Sequence, residues 1–350
     1  MNVCIITVYN SENCGSFLQA YALSEQLKAL GHNVFFLERS VKNSSHSMVA
    51  VLKECVKSIL RLKIKDIGML MAKHKAFSIK QAAFRVVTES QEALEKIDLF
   101  VLGSDTIWNF KDSYFAKYAQ RYTGAIITDK PFVFYAASCA NTTAEDITCK
   151  GIKIDSICAA KAVGVRDDAT AELIEKLLGR KTDLVCDPTL LIRREDYDAF
   201  QCSKGMADKY LLIYCFGMLG QKRIDEIKEF AKNRNLKIVN IGAYQSWADV
   251  CLPATPDIFV SYYRDAECVV TNTFHGTIFS TIFGKDFVVI TDKKRKIADY
   301  LAWIKMEDRM LGDGDSLKSV LERPLEYDQL ANTIDMLRRK SLMFLEEAIN

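Results

Sequence analysis

The segment Val3-Cys4-Ile5-Ile6-Thr7-Val8 is an almost continuous apolar run of strand length. A polar loop separates it from an amphipathic segment, 17–30, which ends at Gly31, and residues 33–38 have the composition of a second strand. An uninterrupted apolar run is typical of a parallel strand that is buried on both faces. A strand, a helix and a second strand in this order predict the start of a doubly wound α/β sheet.

The same alternation continues along the chain and restarts once. Apolar runs predict further strands at 98–102, 132–137 and 162–165, and 169–178 predicts a helix. The segment Asp187-Pro188-Thr189 should end this sheet, and the polar segment 192–209 is the best candidate for an inter-domain linker. Beyond it we predict strands at 210–216, 236–241, 267–270 and 287–290, with helices at 220–233, near 257–263 and from 278.

We therefore predict two Rossmann-like doubly wound domains that face each other across a cleft. Residues 1–195 would form the first domain and 205–325 the second. The last segment, 326–350, has helical spacing and should pack back on the first domain.

The composition excludes several classes of protein. The 350 residues are 49% hydrophobic and 26% charged with a net charge of +2, which is typical of a globular protein and gives no overall attraction to nucleic acid. No apolar run has membrane-spanning length, and the N-terminus does not have the features of a signal peptide. The 11 scattered cysteines show no zinc or iron–sulfur spacing. We expect free thiols, a cytoplasmic location and no bound metal.

A basic stretch extends from Lys53 to Lys80, and its first part, 49–67, has helical spacing. We favour a solvated helix face whose lysine stems lie along apolar surface. The alternative is that the stretch binds an anionic partner, either an acidic ligand or, as a peripheral contact, the inner face of a membrane.

Polar residues follow the predicted strands in four places, 10–16, 103–109, 166–168 and 271–277. Strand ends of doubly wound sheets converge on one crevice. The first three groups belong to the first domain and the last to the second, so we expect them to meet across the cleft.

The segment 269–277 reads as a strand, a tight turn and the beginning of a helix. Amide groups at a helix N-terminus favour an anion, the hydroxyls of Thr273 and Thr277 add donors, and His275 can titrate near neutral pH. The alternative is a capped helix whose histidine only satisfies a backbone group.

Two further side chains are candidates for chemistry at the cleft. Arg166 can bind a carboxylate or phosphate with both arms of its guanidinium, or it can pair with Asp167 or Asp168. Asp105 can accept a proton from a substrate hydroxyl, or it can cap the turn that follows it. There is no dinucleotide or phosphate-loop motif, and no catalytic triad at a recognised spacing.

Four segments together resemble the polysaccharide pyruvyl transferase family over nearly the whole chain. They are Asn13-Cys14-Gly15-Ser16-Phe17-Leu18-Gln19-Ala20-Tyr21-Ala22-Leu23, Val101-Leu102-Gly103-Ser104-Asp105-Thr106-Ile107-Trp108-Asn109, the pair Gly164-Val165-Arg166-Asp167 and Asp187-Pro188-Thr189-Leu190-Leu191, and Thr271-Asn272-Thr273-Phe274-His275-Gly276-Thr277. Each segment is weak alone, but their order makes the resemblance specific.

The resemblance implies a fold like that of glycosyltransferases of the B type (GT-B) and transfer of a pyruvyl group from phosphoenolpyruvate to a sugar of a surface polysaccharide precursor, without a cofactor. It implies His275 near the donor phosphate as a stabilising group or acid, Arg166 on a donor anion and Asp105 on the acceptor hydroxyl. The expected substrate-binding residues are Asn13, Gly15, Ser16, Gln19, Gly103, Ser104, Trp108, Asn109, Asn272, Thr273, Phe274, Gly276 and Thr277.

Three positions depart from the family pattern. Thr106 stands where glutamine is usual, Asp167 where glutamate is common and Cys14 where tyrosine is frequent. The acceptor sugar, and whether it is lipid-linked, therefore stay open. The alternative functions are a glycosyltransferase of the same fold that uses a nucleotide sugar, and a binding protein without catalysis.

Overall fold

The structure, a computed structural model, describes residues 1–38, 64–127, 129–202, 206–290 and 295–350. Most of the predicted helix 49–67, the first part of the basic stretch and Gly205 of the predicted linker lie outside these ranges.

The first sheet has seven parallel strands in the order β3-β2-β1-β4-β5-β6-β7. The strands are β1 (Asn2–Ile6), β2 (Asn33–Leu37), β3 (Val86–Val87), β4 (Leu99–Leu102), β5 (Phe132–Ala137), β6 (Val163–Val165) and β7 (Asp183–Leu184). The order reverses between β1 and β4, which is the switch point at which doubly wound sheets bind ligands.

The second sheet has five parallel strands in the order β10-β9-β8-β11-β12. They are β8 (Tyr210–Tyr214), β9 (Lys237–Ile241), β10 (Val250–Leu252), β11 (Cys268–Thr271) and β12 (Asp286–Val289). β11 lies beside β8 in the middle of the sheet, so the turn after β11 opens at its own switch point.

Helices cover the faces of both sheets. Those of the first half are α1 (Cys14–Ala29), α2 (Ile64–Gln81), α3 (Gln91–Glu95), α4 (Ser113–Lys117), α5 (Ala119–Tyr122), α6 (Ala144–Cys149) and α7 (Asp168–Leu178). Those of the second half are α8 (Gln221–Asn233), α9 (Pro256–Asp265), α10 (Phe274–Ile282), α11 (Arg295–Trp303), α12 (Leu317–Leu321) and α13 (Tyr327–Ile349). Short 3₁₀ helices lie at Asp155–Ala159, Pro188–Leu190, Arg194–Ala199 and Glu307–Arg309.

The predicted doubly wound α/β architecture with two sheets is confirmed. The sequence patterns did not predict β3 and β10, which have two and three residues. Segments this short cannot show an alternating pattern, and they are at the sheet edges where burial is incomplete.

The segment predicted as a polar linker is partly built into the core. Tyr197 and Phe200 are buried, with the ring of Tyr197 5.1 Å from that of Phe279 in α10. The ring of Phe200 lies 6.1 Å from that of Phe17 in α1. Aromatic contacts therefore join a helix of the first half to a helix of the second through this segment.

The C-terminal helix α13 packs on the first sheet. The hydroxyl of Ser341 accepts a hydrogen bond from the amide of Cys186 at 2.8 Å, and Arg338 Nε donates to the carbonyl of Leu190 at 2.7 Å. The ring of Phe344 lies 6.3 Å from that of Tyr135 in β5. The two hydrogen bonds therefore fix both ends of the segment 186–190 to α13.

The ten cysteines that the structure describes are free thiols, and none of the helices within the described ranges is both long and apolar enough to cross a membrane. At the end of the basic stretch, Lys80 Nζ lies 2.7 Å from Asp257 Oδ1 of α9. Lys80 therefore links α2 of the first half to α9 of the second half. The membrane contact of the stretch stays a prediction.

Candidate active site

A chain of charged side chains runs from the first sheet to the second. Arg166, directly after β6, donates from Nη1 to Asp187 Oδ2 at 2.6 Å and from Nη2 to Asp105 Oδ1 at 3.2 Å. Ser16 Oγ in α1 donates to Asp105 Oδ2 at 2.6 Å, and His275 Nε2 in α10 lies 3.7 Å from Asp187 Oδ2. We call these five residues the charged network. It joins three strand ends of the first sheet to the second domain.

The guanidinium of Arg166 is not free for an anion, contrary to our expectation. Its side chain is 0% exposed, it pairs with two carboxylates, and it lies 4.8 Å from the ring centroid of Phe274. Burial disfavours the charged form, but Asp187 and Asp105 outweigh it, so the pKa of Arg166 is raised. Arg166 forms ion pairs, as the alternative predicted, but its partners are Asp187 and Asp105 and not the adjacent Asp167 or Asp168. Asp167 instead caps α7.

Asp105 is ionised and held from several sides. Burial alone would raise its pKa, but Arg166 and His275, with the hydroxyl of Ser16, lower it. The backbone amide of the next residue, Thr106, also donates to Asp105 Oδ1 at 2.7 Å. A carboxylate with a lowered pKa is a weak proton acceptor, so these contacts favour a positioning role over general-base catalysis.

Asp187 is a central residue of the site that we did not single out from the sequence. Its Oδ1 accepts from the amide and the hydroxyl of Thr189, at 3.1 and 2.7 Å, while Oδ2 faces Arg166 and His275. Burial would raise its pKa, but His275, Arg166 and Thr189 together hold it well below its usual value. The signal was present in the segment Asp187-Pro188-Thr189, which we assigned to the end of the sheet and to the family pattern but not to the site.

His275 fits against Gly15 at the beginning of α1. A methyl group on Gly15 would lie 2.0 Å from His275 Nδ1 and 2.4 Å from Cγ, so only glycine leaves room for the imidazole. The carboxamide of Asn13 caps α1 by accepting from the amides of Gly15 and Ser16 at 2.9 and 3.2 Å. Asn13, Gly15 and Ser16 thus build the surface on which the imidazole of the second domain rests.

The turn before α10 uses its threonines internally. Thr273 Oγ1 caps the helix by accepting from the amide of Gly276 at 3.0 Å, and it lies 3.0 Å from Thr271 Oγ1. Thr277 is fully buried, and its hydroxyl donates to the carbonyl of Thr273 at 2.9 Å. Both hydroxyls therefore have partners within this segment, and their contact with a ligand stays a prediction. The first two amides of the helix, those of Phe274 and His275, precede these bonds, and amides in this position are suited to donate to an anion.

Gln19 also has a different position from the one predicted. It is 0% exposed, and its amide nitrogen donates to the carbonyl of Ser16 at 2.7 Å and to Thr7 Oγ1 at 3.2 Å. Its oxygen accepts a short hydrogen bond from the hydroxyl of Ser104. Gln19 and Ser104 thus fasten the turn before Asp105 to α1. Both side chains are buried, and their contact with substrate stays a prediction.

The turn itself depends on Gly103. Its φ is +111°, and a methyl group there would lie 2.2 Å from the carbonyl oxygen of Tyr135. Asp105 also has a left-handed φ of 67°, which is uncommon for a residue with a side chain and is frequent at functional sites.

Trp108 is in the core of the first domain. It is 1% exposed, and its indole donates to the carbonyl of Tyr122 at 2.8 Å. The resemblance implied a substrate-binding residue here, but the side chain of Trp108 is buried in the core. Asn109 belongs to the turn that follows, where its amide donates to the carbonyl of Thr106 at 3.0 Å.

Asn272 joins two strand ends of the second sheet. Its oxygen accepts from the amide of Phe216 and its nitrogen donates to the carbonyl of Phe216, both at 2.8 Å. Phe274 is covered on its ring by Arg166 and by Lys296, whose Nζ lies 5.4 Å from the ring centroid. The backbone is also closely packed at Gly276, because a methyl group there would lie 2.2 Å from Thr271 Oγ1.

Other chemistries have less support at this site. Burial, chiefly, raises the pKa of the Cys14 thiol to about 12, so it is a poor nucleophile near neutral pH. Among residues of the described ranges, no group of His, Cys, Asp and Glu is arranged to hold a metal ion. The arrangement suits chemistry in which a positioned imidazole acts on an anion or moves a proton.

The family model for polysaccharide pyruvyl transferases matches residues 13–293, which include all five residues of the charged network. The chain belongs to the polysaccharide pyruvyl transferase family. A polysaccharide pyruvyl transferase is a transferase enzyme that acts on a saccharide acceptor, and the predicted family is confirmed. A comparison with curated protein sequences gave no match.

Solved structures give the fold of this polysaccharide pyruvyl transferase. The UDP-N-acetylglucosamine 2-epimerase from Neisseria meningitidis bound to UDP-GlcNAc is 12% identical, with a TM-score of 0.50 over 100% of both chains. Arabidopsis thaliana UGT89C1 complexed with UDP is 10% identical, with a TM-score of 0.51 over 100% of this chain and 99% of that one. Another UDP-N-acetylglucosamine 2-epimerase has 10% identity and a TM-score of 0.54 over 99% and 94%. These likenesses confirm the predicted GT-B fold.

Proposed function

We propose that this transferase moves the pyruvyl group of phosphoenolpyruvate onto two hydroxyls of a sugar, forming a ketal and releasing phosphate. The observation that carries the proposal is the position of His275, which lies between Gly15 and Asp187 where the four family segments meet. The product would belong to a precursor of a surface polysaccharide made in the cytoplasm.

The charges around His275 suit an anionic donor. Arg166 offsets only one of the two carboxylates, Asp105 and Asp187, but Lys296 and a protonated His275 would add two positive charges and leave the site with a net positive charge. The amides of Phe274 and His275 begin α10, where the helix dipole adds to that charge. Phosphoenolpyruvate carries a phosphate and a carboxylate, and both need such groups.

The reaction balances with one proton moved to carbon. The donor methylene gains a proton and becomes a methyl group, and the two sugar oxygens form bonds to the adjacent carbon as the bond to the phosphate oxygen breaks. Of the two hydroxyl protons released, one replaces the proton used on carbon and the other leaves with phosphate. His275 is the residue that we assign to protonation or to the leaving phosphate.

Asp187 and Asp105 would act through their neighbours. Asp187 faces Nε2 of His275 and stabilises the imidazolium, in the manner of a carboxylate that orients a catalytic histidine. Asp105 would hold Arg166 and Ser16 in place. We retain activation of the acceptor hydroxyl by Asp105 only as the weaker assignment, because its pKa is lowered.

The decisive test is phosphate release from phosphoenolpyruvate in the presence of a panel of acceptor sugars, with the ketal detected by mass spectrometry. His275→Ala should lower turnover by about a hundredfold to ten-thousandfold without changing the circular dichroism spectrum. His32→Ala, a histidine change next to β2, is the matched control and should retain activity. Unchanged turnover in His275→Ala would remove this residue from the mechanism.

The same assay separates the alternative functions. Turnover of a nucleotide sugar without phosphoenolpyruvate would identify a glycosyltransferase of this fold. Binding of phosphoenolpyruvate without phosphate release, with every acceptor offered, would identify a binding protein.

A further inference from the structure

A cavity of about 520 Å³ lies between helix α2 of the first half and the strand ends of the second sheet. The first half contributes Met69, Leu70 and Asp66 from α2, and the residues that follow β8 and β9 contribute Phe216, Met218 and Tyr244. Its volume is that of a small-molecule site. No residue of the charged network lines it.

The cavity adjoins the charged network on two sides. Asn13 and Cys14 form part of its wall, and the next residue along the chain, Gly15, contacts the imidazole of His275. On the other side Phe216 is held by both polar atoms of Asn272, just before the cap of α10. The wall of the cavity is therefore continuous with residues that hold the charged network in place.

The lining has the chemistry that recognises a sugar ring. Phe216 is 53% exposed and Met218 88% exposed, so both present apolar surface at the cavity although neither is covered by the fold. An aromatic ring can pack against the C–H face of a pyranose while hydroxyls point elsewhere.

The charged groups favour hydroxyl donors. The carboxylate of Asp66 is fixed by the amide of Tyr244, which donates to Oδ1 at 2.9 Å, and Glu12 Oε1 lies 2.6 Å from His74 Nδ1. Ionised carboxylates only accept hydrogen bonds, so they complement sugar hydroxyls and repel a phosphate. Among the described residues that line the cavity, Lys73 is the one cation, against the carboxylates of Glu12 and Asp66.

We propose that this cavity binds a sugar unit of the acceptor, with its ring against Phe216 and its hydroxyls on Asp66. The assignment rests on the proposed function for the identity of the acceptor, but the binding itself does not require phosphoenolpyruvate. It places donor and acceptor on different surfaces, the donor at the beginning of α10 and the acceptor between α2 and β8.

The test uses saturation-transfer NMR on the full chain with methyl glycosides of galactose, glucose and N-acetylmannosamine as probes. At least one should bind, and Phe216→Ala and Asp66→Asn should each weaken it by about tenfold. Met336→Ala truncates another exposed apolar residue, on α13 and away from the cavity, and should leave binding unchanged. His275→Ala should also leave it unchanged, because the network does not line the cavity.

Two results would overturn the proposal. One is that no glycoside of the panel binds, or that binding does not depend on Phe216 and Asp66. The other is that UDP binds with the same dependence on these residues, which would assign the cavity to a nucleotide. If a glycoside binds as expected but phosphoenolpyruvate is never turned over, the proposed function fails and the sugar site stands. If turnover is normal and both variants keep the wild-type KM for the acceptor, the sugar site fails alone.

Discussion

Gly15 leaves the space that His275 occupies. Alanine at this helical position gains up to about 1 kcal/mol through helix propensity, but overpacking a buried contact typically costs about 1–3 kcal/mol, so stability should stay level or fall. The added methyl group would however lie 2.0 Å from His275 Nδ1, so the imidazole must move. We expect Gly15→Ala to lower kcat by about a hundredfold, which is the cost of misplacing a catalytic group by roughly 1 Å.

Gly68→Ala is the matched control for this change. Gly68 is also inside a helix, α2, and a methyl group there would meet no atom within 4 Å. It should raise the urea midpoint and leave kcat unchanged. Equal activity in the two variants would show that His275 does not need its present position.

Asp187 and Asp105 should give the protein an acid-sensitive stability. Both carboxylates have a lowered pKa in the folded protein, whereas an unfolded aspartate titrates near 4. The unfolded state therefore takes up protons first as the pH falls, and the stabilisation present above about pH 4 is lost as the pH drops through the folded pKa values. Urea midpoints measured from pH 7 to pH 3 should decrease along this limb.

Asp187→Asn should flatten the acid limb and lower stability at neutral pH. Its removal leaves Arg166 buried with one carboxylate, a loss of about 3–5 kcal/mol for a broken buried pair. Asp328→Asn, an exposed change on α13, should do neither. If the acid limb of Asp187→Asn were as steep as that of the wild type, other carboxylates would have to account for it.

At the scale of elements, the cap of α10 connects helix stability to the site. Thr273→Ala removes the acceptor for the amide of Gly276 and should cost about 1 kcal/mol of stability. Because His275 is in the first turn of this helix, activity should fall as well. Ser90→Ala removes the cap of α3 and should cost stability without loss of turnover. Thermal melts and phosphate release on the two variants compare these outcomes directly.

Most strands of this fold were predictable, because parallel strands that are buried on both faces consist of nearly continuous apolar residues. The run at 132–137 matches β5, and the other long strands differ by one or two residues at their ends. The convergence of Arg166, Asp105 and His275 also followed from the position of strand ends.

The partners within the site were not predictable in the same way. Strand order decides that Arg166 meets Asp187 and Asp105. Of the two aspartates next to Arg166 in sequence, Asp167 caps α7 and Asp168 accepts from the indole of Trp303 at 3.1 Å. Gln19 and Trp108 are buried, so they support the turn around Asp105 from the core. Neither property can be read from local composition.

At the scale of the whole molecule, the site requires both halves. His275 is in α10 of the second half, and it lies against Gly15 and Asp187 of the first half. Aromatic contacts through Tyr197 and Phe200, with the ion pair of Lys80 and Asp257, join the halves. Catalysis and the packing between the halves should therefore be lost together on denaturation.

The C-terminal helix offers the sharpest test of this coupling. Ser341 Oγ donates to the carbonyl of Leu337 in its own helix at 2.8 Å and also accepts from the amide of Cys186, the residue before Asp187. Ser341→Ala leaves that buried amide without its partner, which should cost about 1–3 kcal/mol and reduce turnover severalfold by loosening Asp187.

Thr333→Ala on the same helix is the control, because its exposed hydroxyl makes only the matching bond to its own helix, at 2.8 Å to the carbonyl of Gln329. Its effect on stability should stay within about 0.5 kcal/mol. Urea unfolding and kcat, measured on both variants, decide between the outcomes. If the two variants are equally stable and equally active, α13 covers the first sheet without bracing the segment that carries Asp187. A loss confined to Ser341→Ala would show that the last helix of the chain supports a site built almost entirely from residues that precede it.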